Sequence, residues 1–131
     1  MKLRIAMAAA VLLLLALNSS VGTAAGNEPA DTGELSKPTV LVFGLGSKCR
    51  YCVQLKGEID LVTEKTGDAV LFQTILVNHN RIMAQRYRIL LSPTLVFLDG
   101  AGTEVFRHQG ILNNKQILER LIALEFWPQK G

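Results

Sequence analysis

Two cysteines, Cys49 and Cys52, stand two residues apart in the run FGLGSKCRYCVQLKGEI and are the only thiols in the 131-residue chain. A pair at this spacing can be a redox couple, half of a metal site, or a small structural bridge. As a bridge it restrains the unfolded chain little, because the loop it closes is very short. As a zinc site it needs two further ligands, and the only histidines, His79 and His108, offer neither paired spacing nor a second CxxC. Each histidine reads more simply as a solvated loop or strand residue. The redox reading depends on where the pair falls in the local structure.

That place is between an apolar strand-like run and the first turn of a helical pattern. At a helix N-terminus, unpaired backbone N–H groups and the positive end of the dipole favour a thiolate over a thiol. Cys49 falls there, and Lys48 and Arg50 beside it either push the same way or are merely exposed side chains. Cys52, one turn further in, is expected to be more buried and closer to an ordinary thiol. The asymmetry supplies an attacking thiolate and a resolving thiol, which is what thiol–disulfide exchange needs.

The elements that must hold this pair can be read from periodicity. TVLVF, from Thr39, is uniformly apolar or β-branched and fits a central strand covered on both faces. GLGS is a loop. From Arg50 the spacing of Val53, Leu55, Ile59 and Val62 predicts a helix that TGD breaks near Gly67. AVLFQTILV reads as a second buried strand, and NHNRIMAQRYRIL returns to helical spacing through Ile82, Gln85, Arg86 and Ile89. Pro93 stops that helix, since proline cannot continue one and restricts Ser92 before it. TLVFL and TEVFRH, joined by DGAG, predict an antiparallel hairpin. In the last helix Asn113 or Asn114 is the N-cap, and Ile117, Leu118, Leu121 and Ile122 form the apolar face. The order βαβ, α, ββα predicts an α/β sheet covered by helices on both faces, its first crossover right-handed between parallel strands.

Ahead of this domain, Lys2 and Arg4 precede an apolar run from Ile5 to Leu17, and small residues follow near Ala25. Residues 1–25 therefore read as a secretory signal peptide, with a run shorter than the roughly 20 residues a membrane span needs. Retention as an anchor is the alternative. Residues 26–37, GNEPADTGELSK, read as a flexible polar leader, and residues 38–127 as one domain with a single core. The formal charge is +3, and removing Lys2 and Arg4 leaves about +1, which speaks for neither nucleic acid nor an anionic membrane as partner. Export, to the periplasm or beyond, would place the thiols where disulfides persist.

With CxxC after a buried strand and YRILLSPTLVFLDGAGTEVFRHQG downstream, the chain resembles the thioredoxin family from about Pro38 to Phe126. The resemblance implies a trimmed thioredoxin fold with a four-stranded mixed sheet. It rests on Tyr87, Ile89, Pro93 and Thr94 as well as on the cysteines, and it makes Pro93 a cis proline packed beside the redox pair. Such a bond is tolerable mainly before proline and bares the backbone of Ser92 for pairing with an extended substrate. Ser92, Pro93, Thr94 and Gly110 are thereby implied as the substrate groove, although Gly110 also suits a plain turn. The family's tryptophan before the first cysteine, and its Gly-Pro between the two, are replaced here by Lys48, Arg50 and Tyr51. Its buried aspartate and lysine, which help the resolving cysteine lose a proton, are replaced by Phe43 and Thr74. Trp127 reads as a packing residue.

About 40 residues separate Cys52 from Pro93, too few for the helical insertion of DsbA-like oxidases. The C-terminal half is similar to exported reductases and to the C-terminal domain of the DsbD family. That likeness implies a monomeric periplasmic protein-disulfide reductase, without metal or organic cofactor, supplied with electrons by a membrane donor of the DsbD or CcdA type. The alternatives are a disulfide oxidase or isomerase, or, from another class, a redox-responsive binding module or copper chaperone using both thiolates.

Overall fold

The computed structural model describes residues 36–129. The signal-peptide reading and nearly all of the leader lie outside them. Strand β1 (Thr39–Gly44) is followed by helix α1 (Arg50–Thr66), strand β2 (Leu71–Leu76), helix α2 (Arg81–Arg86), strands β3 (Thr94–Leu98) and β4 (Glu104–Gln109), and helix α3 (Asn114–Ala123). The sheet order is β2-β1-β3-β4, with β1 parallel to β2 and antiparallel to β3, and β3 antiparallel to β4.

A uniformly apolar strand suits a position where both faces and both edges are occupied. All six residues of β1 are buried, and it lies between β2 and β3. Alternate side chains go to opposite layers. Val40 and Val42 join Leu55, Ile59 and Val62 of α1, Leu95 and Phe97 of β3, and Ile117 and Leu121 of α3. Leu41 and Phe43 meet Ile75, Val96 and Leu98 on the other face, where Met83, Tyr87 and Ile89 cover them. The four-stranded mixed sheet with helices on both faces is the expected fold.

Three local expectations are corrected. β2 is an edge strand, not a buried one: of its residues only Ile75 is buried, and Leu71 is 51% exposed. Val53 is 54% exposed and takes no part in the core. α2 is one and a half turns long and directs Met83 and Ala84 inward, leaving Ile82 74% exposed. It also ends at Arg86, well before Pro93, where Tyr87 caps it and Arg88 turns the chain at φ 51°. The loop after β1 contains one 3₁₀ turn, Gly46–Lys48.

The hairpin forms as expected. Asp99 closes its turn by accepting at Oδ1 from the N–H groups of Ala101 and Thr103, at 3.0 and 2.9 Å. α3 begins with a capping box in which Asn113 accepts from the Gln116 N–H at 2.9 Å and Gln116 accepts from the Asn113 N–H at 3.0 Å. A second device ties α3 to α1. The Glu58 carboxylate on α1 accepts from both the backbone N–H and the side-chain amide of Asn114, at 2.7 and 2.8 Å. A carboxylate at the positive end of a helix is favoured electrostatically, and these two bonds hold the Glu58 pKa below its ordinary value.

A carboxyl group whose pKa is lowered on folding contributes stability above its unfolded pKa, and loses it as the pH falls through the folded value. Glu58→Gln is therefore expected to unfold at a lower urea concentration than the wild type at pH 7, and the difference should shrink toward zero near pH 3. Urea midpoints at the two pH values check this; an equal difference at both would mean that the charge of Glu58 does not tie the helices.

Candidate redox site

β1 delivers the chain to the site. Its last residue, Gly44, is followed by Leu45 and the 3₁₀ turn, in which Gly46 adopts φ 66°. The turn closes with the Cys49 N–H donating to the Gly46 carbonyl at 3.1 Å. Cys49 is thereby left in an extended conformation as the N-cap of α1, and its own carbonyl accepts the first helical bond from the Val53 N–H at 3.1 Å. The Cys49 sulfur plays the part that an N-cap oxygen plays elsewhere: it accepts from the Cys52 N–H at 3.1 Å. The two sulfurs are joined in a disulfide, with the Cα atoms 5.1 Å apart.

Both cysteines are half-buried, so the expected contrast in burial is small, and their surroundings carry the difference. Cys49 stands at the rim among the exposed side chains of Lys48, Arg50 and Tyr51. Cys52 is packed against the end of β1, where a Cβ added to Gly44 would lie 3.1 Å from its sulfur. It also lines a groove of about 370 Å³ between α1 and β2, with Val42, Phe72 and Thr74 on the strand side. Thr74 therefore lines the same groove as Cys52. Phe43 does not: it faces the opposite layer, its ring 5.5 Å from that of Tyr87. The strand positions nearest Cys52 are Gly44 and Val42, and no ionisable side chain reaches the groove from the sheet. On α1, Lys56 and Asp60 line it and pair with each other at 2.9 Å.

Sequence reasoning missed Gly44. The signal was a glycine at the very end of a buried strand, a place that marks a bend or the close approach of another group.

The second half of the site comes from β3. Phe43 is in register with Thr94, so the residues entering β3 lie at the end of β1 from which the redox turn departs. There the Ser92–Pro93 peptide is cis. Pro93 is fully buried, and its carbonyl accepts from the Gly110 N–H at 2.8 Å. Thr94 is buried, and its hydroxyl donates to the Leu91 carbonyl at 2.6 Å, bracing the turn that leads into the proline. Gly110 has φ 97°, a conformation that favours glycine, and a Cβ there would meet nothing within 4 Å, so the space above it is open. Ser92 remains half-exposed, after the exposed Leu90 and Leu91. The strand register thus brings Ser92, Pro93, Thr94 and Gly110 to the same end of the sheet as the cysteines.

A thiol pair on a helix start, with a proline turn at the neighbouring strand end, is the arrangement of a thiol–disulfide oxidoreductase. The family model described as a thioredoxin-like domain matches residues 27–125. Among solved structures, a chloroplastic thioredoxin z is 27% identical, with a TM-score of 0.62 over 69% of this chain and 80% of that one. A thioredoxin-like protein from Clostridium perfringens is 26% identical, with a TM-score of 0.65 over 72% and 75% of the two chains. The exposed lipoprotein thioredoxin of Streptococcus pneumoniae, 19% identical, shares the fold with a TM-score of 0.59 over 69% and 87%. No curated protein matches the sequence. The matched model spans most of the chain and takes in the whole redox site, so the chain belongs to the thioredoxin family.

Proposed function

We propose that the protein is an exported reductase of protein disulfides, with Cys49 as nucleophile and Cys52 as resolving thiol. The observation that carries the assignment is the capping geometry: Cys49 is at the rim, on the helix N-terminus, with the Cys52 N–H already directed at its sulfur. Negative charge on that sulfur is stabilised by the bond and by the helix end. Exposed Lys48 and Arg50 add positive charge nearby.

In the reduced protein the Cys49 thiolate attacks one sulfur of a substrate disulfide. A Cys49–substrate disulfide forms and the second substrate sulfur leaves as a thiolate, taking a proton from solvent. Cys52 then gives its proton to water in the groove and attacks the Cys49 sulfur. The Cys49–Cys52 disulfide forms, the remaining substrate thiol is released, and two electrons have passed from protein to substrate. Val42, Gly44 and Thr74, the neighbours from the sheet, offer no base, and the carboxylate that lines the groove, Asp60, is engaged by Lys56, so this second step gives its proton to solvent. The backbone of Ser92 and the open space over Gly110 provide the surface on which an extended substrate segment lies. A membrane donor of the DsbD or CcdA type would return the pair to the dithiol, as suits a protein working outside the cytosol.

Division of labour between the thiols is directly testable. Cys52→Ser is expected to accumulate a mixed disulfide with a protein substrate through Cys49, whereas Cys49→Ser should accumulate none; non-reducing electrophoresis with mass spectrometry reads both. A conjugate held by Cys52 would reverse the assignment.

Close packing at Gly44 gives a second expectation. In Gly44→Ala the new methyl must displace the Cys52 sulfur by a few tenths of an ångström. Attack by Cys49 should be nearly unchanged while resolution slows several-fold, so rapid quenching should reveal a transient mixed disulfide that the wild type does not build up. Equal slowing of both steps would show that Gly44 does not act through Cys52.

A further inference from the structure

Charge is divided along the sheet. Three segments start or finish at the redox end. Leu45–Arg50 leaves β1. Val77–Pro93 leaves β2 opposite Gly44 and enters β3 opposite Phe43, so both its ends are at this level. Gln109–Asn113 leaves β4 opposite Thr94. None of the three contains an aspartate or glutamate, and together they carry Lys48, Arg50, Arg81, Arg86 and Arg88. The acid-free stretches extend further, from Ser36 to Gly57 and from Ala69 to Leu98.

The opposite end has the reverse character. Thr39 is in register with both Leu71 and Leu98, so the turn at Asp68 and the hairpin at Asp99 lie there, with Glu104 opposite Leu98. Two cations toward that end are already matched: Lys37 is 3.6 Å from Asp68, and Arg107 makes a two-pronged pair with Glu104. On α1, which starts at the redox end, the first two carboxylates are already engaged: Asp60 is matched by Lys56, and Glu58 accepts from the backbone N–H and side-chain amide of Asn114. At the redox end Lys48, Arg50, Arg81 and Arg88 are exposed. Beside them are exposed apolar side chains: Leu45 at 42%, Tyr51 at 59%, Leu90 at 82% and Leu91 at 56%.

A small overall charge therefore conceals a molecule with one cationic, partly apolar end, and that end contains the disulfide. We infer that this end docks an acidic protein partner, one whose reacting disulfide is flanked by aspartate or glutamate among apolar residues. The inference rests on the exchange reaction proposed above and names the class of protein that enters it. Attraction between unlike surfaces raises the rate of encounter and falls with ionic strength. The screening length is about 10 Å at 0.1 M salt, so cations on the two sides of the redox turn act together at low salt and separately at high salt. The apolar side chains between them supply the contact that remains once the partner has arrived.

Three disulfide peptides of one length, flanked by Glu, Gln or Lys, test this with the reduced protein. At low salt the rate constants are expected in the order Glu, Gln, Lys, with roughly a tenfold spread that closes at high salt. In Arg81→Glu with Arg88→Glu, two positions outside the CxxC motif, the Glu-to-Lys ratio should fall toward one or invert. Rates independent of flanking charge, or a preference for Lys, would overturn the inference. Should no peptide react, the exchange reading fails on its own, and fluorescence anisotropy with the serine forms of the same peptides still ranks the surface. Sedimentation with phosphatidylglycerol vesicles, without discrimination among the serine peptides, would overturn it in favour of a lipid headgroup.

Discussion

The site depends on the pairing of β1 with strands on both sides. Because β1 is central and wholly buried, its C-terminal end is fixed by two registers at once, Gly44 with Leu76 and Phe43 with Thr94. The first sets the floor on which Cys52 packs; the second brings the proline turn level with the redox turn. A one-residue slip in a strand exchanges its two faces. Here such a slip would send Val42 and Phe43 to the wrong layers and part the cysteines from Pro93. The hydrophobic core and the chemistry therefore share one constraint, and the core residues nearest the site serve the reaction by holding that register.

Around this frame, local devices give the two sulfurs different surroundings. The 3₁₀ turn and Gly46 bring Cys49 to the N-cap, where a backbone N–H is directed at its sulfur. Gly44 allows Cys52 to sit against the strand, where a larger residue would press on it. Exposed cations lie on the loops of the same end, while Glu58 and Asp60 on α1 are engaged by Asn114 and Lys56, so the charge that would favour a Cys49 thiolate is also the charge on which the inferred preference for an acidic partner rests.

Much of this was legible in the residues. The central strand, the Asp99 hairpin, the Asn113 cap and the redox pair at a helix start each have a local cause, and local causes can be read from sequence. What could not be read depends on topology. AVLFQTILV is as apolar as a buried strand, but its place at the edge follows from sheet order, so Leu71 is exposed despite its type. Ile82 and Val53 keep helical spacing with core residues, yet helix length and docking angle turn them outward. The resemblance puts Phe43 where the family has its buried aspartate, on the redox side of the strand. A likeness in sequence does not fix which way a strand's alternation ends, and Gly44 and Val42 are the residues on that side.

The central claim is that this geometry makes a reductant of protein disulfides, and the reduction potential of the Cys49–Cys52 couple tests it most directly. Thiolate stabilisation by a helix end and two cations raises a thioredoxin-like potential of roughly −270 mV only part of the way toward that of a strong oxidant such as DsbA, roughly −120 mV. Equilibration with a glutathione couple is therefore expected to give a value below about −200 mV. A value near −120 mV would contradict the account and make the protein an oxidase.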